Sequence, residues 1–389
     1  MTTGRALGWL GIARLGLIQA SLGAVVVLAI STVNRVMAVE LELYAMIPGA
    51  LVAWHYAVQI LRPRMGYGSD QGGRRAPWIV GGQAVLAAGG LITALAIPLI
   101  VANKPLGIAV SFVGFTLVGV GAGTCGTTLL VLLAKRVEPA LRPAAATIVW
   151  VMMIAGMAIT AGVVSVLLHP YSHTRLIEVV GGVGGVAVVL TVLALWGIEG
   201  DPSANPAPPP EKRHQSFRAA LAEVWAEPQA RALTLFIFVS MLAYNAQELI
   251  LEPFGGRVFT MKVEETARIT GLQHGGAMLG MLATGVLCTV LGRRSPAAMR
   301  AWTVGGCLGS GLMLLLLAYA GLTAPGGALA DPTAAGPLAA LATPKTILFV
   351  MVFVLGVANG VFAVSAISAM MAMVGQGARV LIERAAALH

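Results

Sequence analysis

Ten apolar runs of roughly twenty residues each dominate this chain. They occupy residues 15–39, 44–62, 77–101, 106–134, 143–168, 174–198, 231–254, 267–291, 300–321 and 346–373. A run of that length crosses a bilayer as an α-helix, and a helix satisfies its own backbone N–H and C=O groups where there is no water to do so. The fold class expected is therefore an all-α polytopic membrane protein of about ten transmembrane helices. With 58% hydrophobic and 11% charged residues, a soluble core would have more apolar surface than it could bury. The 48 glycines suit helices that approach closely in lipid.

A net charge of +9 invites a nucleic-acid reading, but the positive charges follow topology instead. With the N-terminus cytoplasmic, only Arg35, Lys104, Arg175, Arg257, Lys262, Arg268 and Lys345 fall outside. The other eighteen of the 25 lysines and arginines fall inside, which puts both termini in the cytoplasm. Cys125, Cys288 and Cys307 lie within apolar runs at unpaired spacings, so neither a disulfide framework nor a zinc site is expected. The first run lacks a convincing cleavage site for a signal peptide.

The one long hydrophilic stretch, Glu199–Ala230, divides the chain into 1–198 with six spans, a linker at 199–230, and 231–389 with four. Asn205–Pro210 reads as a stiff polyproline spacer. Phe217, Leu221, Val224 and Trp225 then recur at helical spacing, which predicts a short amphipathic helix on the cytoplasmic membrane surface.

Between the second and third spans lies Gly66-Tyr-Gly-Ser-Asp70-Gln-Gly-Gly73-Arg74-Arg75. Glycines let the chain reverse in few residues, Asp70 suits a helix N-terminus, and Pro77 suits the first turn of a new helix. Written G-x-x-x-D-x-x-G-R-R, this loop resembles the one between the second and third helices of major facilitator superfamily transporters. The resemblance implies two helical bundles joined by a cytoplasmic linker, with the second bundle here short of two helices. The resemblance implies that Asp70 meets the start of an eleventh helix, and no apolar run here corresponds to that helix. The fifth span lacks the glycine-proline signature of drug antiporters, which weighs against drug export.

Further stretches narrow the match. Leu61–Arg64 with Gly73–Ile79, Leu130–Arg136 with Ala145–Met153, and above all Gln247–Gly256 resemble the PucC-type proteins of photosynthetic bacteria, nearest the member encoded beside bacteriochlorophyll synthase. The resemblance runs to about Gly377. It implies a noncatalytic factor of the intracytoplasmic photosynthetic membrane that carries bacteriochlorophyll as cargo. Its partners would be bacteriochlorophyll synthase, light-harvesting apoproteins and the lipid membrane.

Polar groups within spans are costly and therefore informative. His55 lies near the middle of the second span, with Gln59 at i+4 on the same face. A neutral imidazole is a candidate axial ligand for the pigment's magnesium, with Trp54 and Tyr56 beside the macrocycle. The alternative is a histidine bonded to a neighbouring helix. Gln273 and His274 form a second polar pair, with His274 and Gln247 further pigment candidates or simply interhelical or solvated groups. Asn34 and Arg35 in the first span and Glu248 and Glu252 in the seventh lie at similar depth. They are read as an inter-bundle gate in which Arg35 pairs with one glutamate, or as an interfacial pair worth about 0–1 kcal/mol.

Gly119 and Gly123 form a G-x-x-x-G pair expected to pack helices. Methionines at 152, 153, 370, 371 and 373 are adaptable packing or a pliant ligand lining. Two other function classes find less support in the sequence. A proton-coupled transporter of a small hydrophobic solute needs a buried carboxylate, and Glu248 and Glu252 lie within the seventh span, toward its outer end. A prenyl-attaching synthase needs clustered aspartates for magnesium and diphosphate, and the three here, Asp70, Asp201 and Asp331, are scattered in loops.

Overall fold

The computed structural model describes residues 7–62, 65, 74–138, 141–199, 225–226, 228–290, 296–323 and 344–386. Among these, ten long helices follow in order. They are α1 (Trp9–Val27, continued as π-helix over Leu28–Val33 and Val36–Glu40), α2 (Met46–Val58, with a 3₁₀ turn Gln59–Leu61), α3 (Ala76–Ala102), α4 (Lys104–Arg136), α5 (Arg142–Leu167), α6 (His173–Leu195), α7 (Pro228–Val258), α8 (Val263–Val290), α9 (Pro296–Thr323) and α10 (Pro344–Ala386).

Among the described residues, eight of the ten are long and apolar enough to cross a membrane by length and composition, against the ten spans expected. Met46–Leu61 is apolar but shorter, reaching roughly 24 Å along its axis against a hydrocarbon core of roughly 30 Å. The start of α8 carries Glu264, Glu265 and Arg268. Gly66, Asp70, Gly73 and all of the expected amphipathic helix except Trp225 and Ala226 lie outside the described residues.

Helix ends follow local chemistry. Asn103 and Ser172 cap α4 and α6, accepting from Leu106 N at 3.2 Å and Arg175 N at 3.1 Å. Proline opens α3, α4 and α5, where a missing N–H costs nothing. The first N–H groups of α3 are satisfied from far along the chain: Glu199 accepts from Arg75 N and, at 3.0 Å, from Ala76 N. Arg14 in turn donates to the carbonyls of Trp196 and Leu193 at the end of α6.

The described residues form two compact units. The first takes residues 7–199 together with Glu248–His274; the second takes residues 225–247, 275–323 and 344–386. In the first unit α1 is central, with every residue from Ser21 to Ala38 buried. Close approach of α3 and α4 depends on glycine: a Cβ on Gly89 would lie 2.6 Å from Val118 N. Gly119 plays the packing role expected of it, its Cβ position lying 2.7 Å from His55 O of α2. In the second unit α8 meets α10 where Gly276 and Gly280 face the backbone of Phe353 and Val357. There Ser310 of α9 donates to Asn359 of α10 at 2.8 Å.

Candidate functional site

Two polar constellations lie in the first unit. One is built on α1, α7 and α8. Arg35 is 1% exposed, donating to Glu40 Oε1 at 2.5 Å and to Met261 O at 2.6 Å. Its partner is thus Glu40, five residues on, where the sequence reading expected Glu248 or Glu252. The π-winding of Val36–Glu40 is the reason. In an α-helix positions i and i+4 share a face, whereas the wider π turn brings i+5 into line. Asn34 Nδ2 donates to Leu249 O at 3.0 Å, and Arg257 donates to Ala38 O at 2.6 Å, so α7 is tied to α1 on both sides of Arg35. Beside this pair, burial, then the charge of Glu40, raises the Tyr171 phenol above its ordinary pKa, with Arg35 pulling the other way.

Glu248 and Glu252, one turn apart on α7, meet α8 rather than Arg35. Thr270 Oγ1 donates to Glu252 Oε1 at 2.5 Å, and Glu252 Oε2 has no hydrogen-bond partner. His274 Nδ1 lies 2.9 Å from Thr270 O, and its Nε2 lies 3.3 Å from Glu248 Oε1. Thr270, Gln273, His274, Glu248 and Glu252 are all buried, with His274 and Glu252 each 1% exposed. Both His274 nitrogens therefore face protein groups. Gln247, also buried, lies in the other unit.

The second constellation lies on α2 and α4. His55 is 1% exposed and its Nε2 lies 2.8 Å from Gln59 Nε2. Because Arg62 donates to Gln59 Oε1, the Gln59 amide nitrogen is turned toward the imidazole as a donor. The ring then accepts through Nε2 and carries its hydrogen on Nδ1, which is buried without a partner. That Nε2 lone pair is the one a magnesium ion would use. Trp54 stacks on Phe112 of α4 at 4.7 Å and donates to Thr116 Oγ1 at 2.9 Å. Tyr56 meets the His55 ring edge-on at 4.8 Å. Trp54, Phe112 and Tyr56 are exposed, so an aromatic ledge lies on the outer face of α2 and α4.

Two hollows open on the first unit. An apolar one of about 230 Å³ is lined by Trp78, Gly81, Gly82, Val120 and Thr124. A mixed one of about 500 Å³ lies at Glu42, Tyr44 and Arg257. Neither is lined by His55. Of the loop motif, Arg74 is exposed and Arg75 is held through its backbone by Glu199. The sequence reading missed Glu40, Thr270 and Glu199, and also the His169–Glu264 pair at 2.9 Å between the α5–α6 turn and α8.

Residues 32–382 match the family described as "PUCC protein". The chain belongs to the PucC family. A Rhodobacter capsulatus relative named "Bacteriochlorophyll synthase 44.5 kDa chain" is 47% identical over 371 residues, covering 95% of this chain and 81% of that protein. A Rhodovulum sulfidophilum relative named "Protein PucC" is 31% identical, covering 74% of this chain and 66% of that one. The PucC-family chain is also similar in fold to solved transporters. A peptide transporter POT superposes with a TM-score of 0.60 at 16% identity, over 95% of this chain and 90% of that one. A bacterial homolog of the human lysosomal transporter Spinster does so with 0.59 at 16% identity, over 92% and 73%. The all-helical fold is thus shared with these solved membrane proteins.

Proposed function

We propose that this PucC-family protein handles bacteriochlorophyll within the photosynthetic membrane without catalysing its synthesis, receiving it near the synthase and passing it to light-harvesting apoproteins. Both termini are cytoplasmic in this reading, as the loop charges favour. The observation that carries it is the 47% identity, across 95% of the chain, to a protein named for bacteriochlorophyll synthase. The α2–α4 face supplies chemistry suited to the cargo. His55 would hold the pigment magnesium through Nε2 once Gln59 turns aside, with Trp54, Tyr56 and Phe112 against the macrocycle.

Deleting the gene in a pigment-making host tests the role. Assembled light-harvesting absorbance falls while bacteriochlorophyll synthase activity in the isolated membranes stays unchanged. Loss of synthase activity itself would make the chain part of the enzyme and overturn the reading. Secondary transport of a small hydrophobic solute coupled to protons is the second reading, favoured by the carboxylates buried on α7.

A further inference from the structure

The Glu248–His274 contact has a proton count fixed by its geometry. Thr270 O can only accept, so His274 Nδ1, 2.9 Å away, carries a hydrogen and donates to it. In a neutral imidazole this leaves a lone pair on Nε2. That atom faces Glu248 Oε1 at 3.3 Å, and neither atom has a hydrogen-bond partner. A lone pair set against a carboxylate oxygen in a buried site is repulsive, and a proton on either atom turns the contact into an attraction.

Among the described residues, Arg35 and Tyr56 reach this site from neighbouring helices. Arg35 of α1 is the guanidinium that reaches Glu252 electrostatically, and it is engaged by Glu40 and Met261 O. Tyr56 of α2 is the titratable group that reaches Glu248 from that helix, and a phenol carries no positive charge. Helix α5 packs against α8 at Gly271 and has no titratable side chain from Pro143 to Leu167. Two buried carboxylates without a balancing charge are costly.

We propose that Glu248 and His274 bind one exchangeable proton between Oε1 and Nε2, which makes the pair neutral beside Glu252, itself tied to the same turn of α8 through Thr270. The ligand of this site is the proton itself. Its departure sets lone pair against carboxylate and pushes α7 from α8 at this level, so the occupancy of the site sets how tightly the two helices hold together. The site stands apart from His55 and from the identity of any cargo.

Infrared difference spectra of the full-length protein in lipid nanodiscs, taken between mildly acidic and mildly alkaline buffer, report carboxyl and imidazole protonation together. The expected result is a pH-dependent signal that is lost in Glu248→Gln and in His274→Asn and kept in His55→Leu. Glu248→Asp retains the acid and is expected to keep the signal at a shifted frequency, which guards against misfolding of the amide variant. A wild-type protein with no pH-dependent carboxyl or imidazole signal, or a signal that survives both Glu248→Gln and His274→Asn, would overturn the proposal. His55→Leu can lose pigment while keeping this signal, so the proton site and the pigment reading fail separately.

Discussion

Arg35 and Glu40 face each other across a single π turn of α1, with the guanidinium buried and the carboxylate half-exposed at the helix end. This asymmetry predicts an asymmetric response to mutation. Glu40→Ala leaves a buried guanidinium with one carbonyl partner, while Arg35→Met leaves a carboxylate that water can reach. Glu40→Ala is expected to lower stability by about 1–3 kcal/mol and Arg35→Met by less. Thermal unfolding in detergent measures both, and an equal or reversed order would contradict the pairing described here.

Gly89 and Gly81 lie on the same helix, α3, yet should respond oppositely to alanine. A Cβ at Gly89 would press on Val118 N at 2.6 Å, whereas Gly81 has open space around it. Gly89→Ala should cost about 1–3 kcal/mol. Gly81→Ala should be neutral or stabilising by up to about 1 kcal/mol. Thermal unfolding of the two variants side by side makes the comparison.

Removing the Glu199 carboxylate takes the acceptor from two N–H groups at the start of α3. Glu199→Ala should cost about 0.5–2 kcal/mol, like the loss of an N-cap. Hydrogen exchange should accelerate at the Arg75 and Ala76 amides and stay unchanged in the middle of α3. Uniform acceleration along α3 would argue against a local capping role.

The helices were legible because apolar runs of that length in lipid have few alternatives. Glu248, Glu252 and His274 were legible as costly polar residues inside spans. Their partners were not. Arg35 finds Glu40 only because the helix between them leaves α geometry, which no spacing rule for α-helices anticipates. Thr270 reads in sequence as a helical threonine that would bond its own preceding turn, and it instead reaches Glu252. Glu199 ends six helices far along the chain from the α3 turn it caps, so only the folded bundle brings them together. Each of the ten apolar runs corresponds to a helix, with α2 shorter than a full span.

The α2 arrangement makes opposite predictions for neighbouring residues. Gln59 occupies the lone pair that His55 would offer to magnesium, so Gln59→Leu should raise pigment retention while His55→Leu abolishes it. Trp54→Ala, which removes the stack on Phe112, should weaken retention by a few-fold, as loss of one aromatic contact worth about 0.5–1.5 kcal/mol implies.

The most direct measurement is the absorption spectrum of the protein purified in mild detergent from a pigment-making host, recorded beside His55→Leu and Gln59→Leu. Pigment handling through α2 predicts bacteriochlorophyll that copurifies with the wild type, is lost or spectrally shifted in His55→Leu, and is retained more strongly in Gln59→Leu. A colourless wild-type protein from membranes with active synthase, or pigment unchanged in both variants, would contradict it.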